Sequence, residues 1–176
     1  MESIYLSTRA RAFAAVSALG WVGMFVLTGA GQTYAGDLSG VVYHLALVPL
    51  VVALPAPDWA KAAGYVWIFC DTALNVAGIN GLDDDIVWAF RLGVHIAAAV
   101  WIVNASGGLR PAARVTGTLL GASLAVHAVT APVVGEAPLA ITAFPLMVVW
   151  LGLIAAGRAV DSSVVQTEAS RRVELP

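Results

Sequence analysis

At 176 residues, 60% hydrophobic and 11% charged, with a formal net charge of -2 and a mean hydropathy of +0.85, the chain is too apolar for a water-soluble domain, where about a quarter of residues carry charge. A hydrocarbon core about 30 Å thick takes roughly 20 apolar residues per helical crossing, so the length allows about six or seven crossings and leaves no room for a separate soluble domain. A single cysteine, Cys70, excludes an internal disulfide, a CxxC redox pair and a thiolate metal cluster, and nothing in the charge balance points to a nucleic-acid partner.

The gaps between charges mark the spans, because a lipid-embedded helix can be apolar all round and then shows little periodicity. Helix one is expected near 11–29, inside a charge-free run from Ala12 to Gly36. Helix two, near 39–55, carries Tyr43, His44 and Pro49. The third, near 60–80, is interrupted only by Asp71, with Trp67 one turn before it and Asn75 one turn after. The fourth, near 86–105, is interrupted only by Arg91 and also holds His95. Helix five, near 112–133, contains His127 and a Gly117/Gly121 pair whose spacing suits close helix packing. Helix six, near 138–157, contains Pro145. Gly/Pro/Asp clusters separate the spans, as at Pro55–Asp58, Asn80–Asp83 and Ser106–Gly108.

The fold class read from this pattern is an all-α integral membrane protein, a bundle of six transmembrane helices. It forms one domain over residues 1–160, followed by a polar tail over 161–176. Cytoplasmic loops are enriched in Lys and Arg. Arg9, Arg11, Lys61, Arg110, Arg114, Arg158, Arg171 and Arg172 all fall on one side of a six-span arrangement, while the opposite loops carry Asp37, Asp83, Asp84, Asp85 and Glu136 and no base. Both termini, and the tail with them, are therefore expected to be cytoplasmic, in a bacterial or archaeal plasma membrane. A signal-peptide reading of the first span would leave five crossings and is the less economical alternative.

Ionisable residues inside a membrane are costly and usually functional. Neighbouring antiparallel helices place residues equidistant from their loop at one depth. With the third loop centred on Asp83, this sets Asp71 level with His95 and Asn75 level with Arg91. Each pair is spaced i, i+4 and shares a helix face, and Asp71 and Arg91 are expected to form an ion pair. His44 and His127 come to similar depths by the same reckoning, with Tyr43, Thr130 and Thr142 near them. Trp67 is placed to line a pocket. The half of the bundle on the basic side holds almost no polar side chain, so the pocket is expected to open away from the cytoplasm or into the outer leaflet.

Four function classes are compatible with this cluster. In a membrane-embedded enzyme acting on a lipophilic small molecule, Asp71 or His95 would exchange a proton and Arg91 would stabilise negative charge. His44, Asn75, His127, Tyr43 and Trp67 would then bind or position the substrate in an isomerisation, cyclisation or hydrolysis. In a b-type haem protein, two of His44, His95 and His127 would supply the axial imidazoles, and all three with water could instead hold a metal. A transporter or channel would need polar lining through the apolar half as well, unless the chain forms a homo-oligomeric pore. A receptor or partner subunit would need only the pocket. No lysine lies inside a span, which excludes a retinal Schiff base. The expected partners are the lipid bilayer, a lipophilic small molecule and, in one arrangement, further copies of the chain.

Overall fold

The computed structural model describes residues 6–134 and 137–159, so Glu136 and the tail over 161–176 lie outside the described residues. Within them the chain is all helical, with no strand: α1 (Thr8–Gly29), α2 (Thr33–Ala53), α3 (Asp58–Ile79), α4 (Asp84–Gly107), α5 (Pro111–Val134) and α6 (Ala137–Ala155). The first five are long and apolar enough to cross a membrane, while the described apolar run of the sixth, Ile141–Ala155, is shorter.

Local chemistry sets the ends. Ser7 caps α1 by accepting a hydrogen bond from the Ala10 amide at 3.2 Å, and Asp83 caps α4 by accepting from the Asp85 amide at 2.9 Å. Proline stands at the first position of α5 and just before α3, where its missing N–H costs nothing. Gly31, Gly81 and Gly157 take left-handed backbone angles (φ 77°, 86° and 70°) just past the ends of α1, α3 and α6. Behind each, the next amide returns to a carbonyl five residues back: Gln32 to Leu27, Leu82 to Ala77 and Arg158 to Leu153.

The principal departure from the charge-gap reading is at α2, which starts at Thr33 instead of near residue 39. Gap counting treats Asp37 as loop. The helix instead runs through it, with Asp37 half-buried near the mouth of the ring, where a carboxylate still reaches water.

Each helix packs against its chain neighbours, and α6 returns to pack against α1, which closes a six-membered ring. Outward-facing apolar side chains are exposed all around it, including Leu19 on α1, Val52 on α2, Phe90 on α4, Val129 on α5 and Ile141 on α6. Apolar exposure on this scale marks a surface that faces lipid, and the chain is a multi-helix apolar bundle of the membrane-protein type.

The two ends of the ring differ. At the end where α2, α4 and α6 finish, Leu47, Leu50, Leu54, Ile102, Leu109 and Ile154 fill the interior. Basic side chains there meet carbonyls in the last turns of helices: Arg11 Nε donates to Ala155 O of α6 at 3.0 Å, and Lys61 Nζ to Val52 O of α2 at 3.5 Å. Satisfying helix C-termini is thus a second physical reason for the bases to collect at this end. At the other end, which bears the α1–α2 and α3–α4 turns, the ring is hollow.

Candidate functional site

The hollow is a cavity of about 600 Å³, within the range of small-molecule sites. Trp21, Met24, Phe25, Leu124 and Met147 form its apolar walls, and Tyr43, His44, Asp71, Arg91 and His95 form the polar one. Asp37 and Asp84 stand near its mouth, at the starts of α2 and α4.

Asp71 is the hub of the polar wall. Its carboxylate is 1% exposed. Oδ1 accepts a hydrogen bond from Arg91 Nε at 3.0 Å, and Oδ2 accepts one from Trp67 Nε1 at 2.8 Å. His44 Nε2 lies 3.3 Å from the same Oδ2, an electrostatic contact more than a well-aligned hydrogen bond. Arg91 also donates to Asn75 Oδ1 at 2.7 Å. His44 Nδ1 lies 2.8 Å from the Gly40 carbonyl and 3.3 Å from Asn75 Nδ2. Three helices thereby meet through one connected network. The i, i+4 spacings place Trp67, Asp71 and Asn75 along a single face of α3, and Gly40 lets α2 approach that face. A Cβ at position 40 would lie 2.7 Å from Asn75 Nδ2.

The expected ion pair is formed, and at closer register than hairpin counting gave. The α3–α4 turn spans 80–83, so its centre lies between Gly81 and Leu82 and Arg91 sits level with Asp71 instead of one turn away. Tyr43 also joins the wall, with its hydroxyl 3.6 Å from Met147 Sδ and its ring 4.4 Å from that of His44.

His95 and His127 are placed differently. Both are buried, at 7% and 3% exposure, and both pack edge-on against Trp88, at 6.2 and 6.0 Å between ring centroids. Neither belongs to the hydrogen-bonded network around Asp71. Nδ1 of His95 and both ring nitrogens of His127 make no hydrogen bond among the described residues. Only His95 of the two lines the cavity. Thr130 bonds back to the Val126 carbonyl on its own helix, and Thr142 pairs with Ser123 between α5 and α6, so neither reaches the cavity.

These placements sort the chemistry. Asp71 has each oxygen engaged, which suits a fixed charge that orders its neighbours more than a group that picks up and releases a proton. His95 lines the cavity outside that network, so its imidazole is not committed to Asp71 and suits a general acid or base. Among the described residues no three His, Cys, Asp or Glu side chains converge on one point where a metal could sit. A bis-imidazole haem would have to use His95 and His127, since both nitrogens of His44 face protein atoms, and the Trp88 ring already packs against each of them.

Several lining residues escaped the sequence reading. Trp21 and Phe25 are spaced i, i+4 on α1, a one-face aromatic pair that could have flagged an inward surface, whereas Asp37 and Asp84 read only as loop charges. The chain matches no protein-family model, no curated protein and no solved structure, so its function has to be argued from this geometry.

Proposed function

We propose that the chain is a six-span protein of a bacterial or archaeal plasma membrane, with both termini cytoplasmic, and that its cavity is the site of a membrane-embedded enzyme acting on a lipophilic small molecule. The observation that carries this reading is that His95, outside the hydrogen-bonded network of Asp71, lines a cavity whose walls combine aromatic and aliphatic side chains with the buried Asp71–Arg91 pair and, nearer the mouth, Asp37 and Asp84. In this reading His95 exchanges the proton. Asp71 and Arg91, locked by Trp67, His44 and Asn75, present fixed charges against which charge developing on the substrate is stabilised without reorganisation. Tyr43 and Trp67 shape the wall. His127 supports Trp88 behind His95 and has a positioning role. Isomerisation, cyclisation and hydrolysis all use a single proton-exchanging group of this kind. A conduit reading has less support, because the opposite half of the ring is filled by fully buried leucine and isoleucine.

The test is turnover. The purified full chain is reconstituted into nanodiscs with extracted bacterial membrane lipids, and the soluble and lipid fractions are followed by mass spectrometry. The expected result is a mass feature consumed and another formed in proportion to protein, with the rate falling about 10²-fold or more in His95→Ala while the helical circular dichroism is unchanged. Equal rates for wild type and His95→Ala, or no conversion at all, would remove the enzymatic reading.

A further inference from the structure

We infer that the ligand of this cavity is a lipophilic cation, an amine or quaternary ammonium carrying an apolar body, and not a lipophilic acid or phosphate. The inference rests on the reading of the cavity as a small-molecule site, and it adds the charge class of the occupant.

Charge balance is the first support. The ionic side chains lining the cavity are Asp37, Asp71, Asp84 and Arg91. Arg91 is committed to Asp71 at 3.0 Å and to Asn75 at 2.7 Å, so the inner acid and the base neutralise each other. Asp37 and Asp84 leave an excess of negative charge nearer the mouth, and Asp83 and Asp85 flank the same rim. The described bases other than Arg91 stand at the starts of α1, α3 and α5 or just past the end of α6, at the opposite end of the ring. A cleft of one sign between low-dielectric walls concentrates ligands of the other sign. The N-terminus of α4, which alone would favour an anion, is already complemented by Asp83, Asp84 and Asp85.

The walls are the second support. Trp21, Phe25, Tyr43 and Trp88 all face the cavity, and Trp21 packs 4.8 Å from Phe25 and 4.9 Å from Tyr43. Clustered aromatic faces stabilise a desolvated cation and offer nothing comparable to an anion.

A third, independent observation points to a polar ligand group. His95 lines the cavity, and the N–H of an amine ligand is a fitting donor to an imidazole lone pair. An anion would instead have to draw Arg91 away and leave Asp71 buried without its counter-charge, a strongly unfavourable exchange.

The test uses tetraphenylphosphonium, its near-isosteric anion tetraphenylborate, and neutral triphenylphosphine oxide. Binding of each to the purified full chain in an uncharged detergent is measured by equilibrium dialysis. The phosphonium is expected to bind saturably and at least tenfold more tightly than the borate. Asp37→Asn and Asp84→Asn combined should weaken it about tenfold, each alone contributing part of the loss, while Asp85→Asn, a single neutralisation at an exposed residue that does not line the cavity, should leave it within about twofold. Borate or neutral binding equal to or tighter than that of the phosphonium would overturn the charge assignment and leave the small-molecule site standing. Phosphonium binding indifferent to the Asp37/Asp84 change would overturn the charge assignment as well. Absence of saturable binding by all three probes would overturn both.

Discussion

Asp71→Ala is expected to destabilise the bundle by about 3–5 kcal/mol, the usual cost of leaving one member of a buried ion pair without its partner. Three groups lose their acceptor or counter-charge at once: Arg91 Nε at 3.0 Å, Trp67 Nε1 at 2.8 Å and His44 Nε2 at 3.3 Å. Thermal unfolding in detergent, followed by circular dichroism, measures it. The combined Asp71→Leu and Arg91→Leu change should recover most of the loss, because two apolar side chains of similar size remove the charge and its partner together. A double change no better than Asp71→Ala alone would show that the network contributes through its other hydrogen bonds more than through the pair.

The second large effect is expected at Gly117. This glycine on α5 lies directly against the Ser106 hydroxyl of α4, and a Cβ there would come within 2.6 Å of Trp150 Nε1 on α6 as well as colliding with Ser106 Oγ. Gly117→Ala should cost about 1–3 kcal/mol by overpacking. Ser106 Oγ makes no hydrogen bond among the described residues, so Ser106→Ala is expected to be nearly neutral alone and to restore part of the Gly117→Ala loss when combined with it. Additive losses in the double variant would mean that the two residues do not share the contact. The neighbouring Gly121, where a Cβ would lie 3.1 Å from the Ala99 carbonyl, continues the same close approach of α4 and α5, as the spacing of the two glycines predicts.

Much of the helical arrangement could be read from where the charges are missing, since an uncompensated charge in hydrocarbon is costly enough to leave a visible gap. The failures of that reading are local and have physical causes. Asp37 misplaced the start of α2 because a half-buried carboxylate near the mouth of the ring still reaches water from within the helix, and the same carboxylate turns out to line the cavity. Depth counting across the α3–α4 turn brought Asp71 and Arg91 into reach but erred by about one turn, because a four-residue turn centred on Gly81–Leu82 was read as centred on Asp83. Depth alone also could not tell His95 from His127. Both lie within one ring of Trp88, and only the rotation of α4 and α5 about their axes decides which meets the cavity. An apolar surface that faces lipid leaves that rotation unmarked in the sequence.

The role of Asp71 shows most clearly what needed coordinates. From composition it is the single acid inside a span and, with His95, a candidate to exchange a proton. Its two oxygens are taken up by Arg91, Trp67 and His44, while His95 lines the cavity outside that network. Saturation of hydrogen-bonding capacity depends on side-chain direction, which spacing alone constrains only to a helix face.

The central claim is that the ring encloses a site for a lipophilic molecule, and photolabelling of the full chain in membranes with a small uncharged diazirine tests it most directly. Such a probe partitions into both lipid and cavity, and peptide mapping separates the two. The account predicts labelling of the outward residues Leu19, Val129 and Ile141, 72–74% exposed, and also of the inward residues Met24, Leu124 and Met147, with the inward set alone displaced by a membrane lipid extract. Labelling confined to the outward set would contradict it.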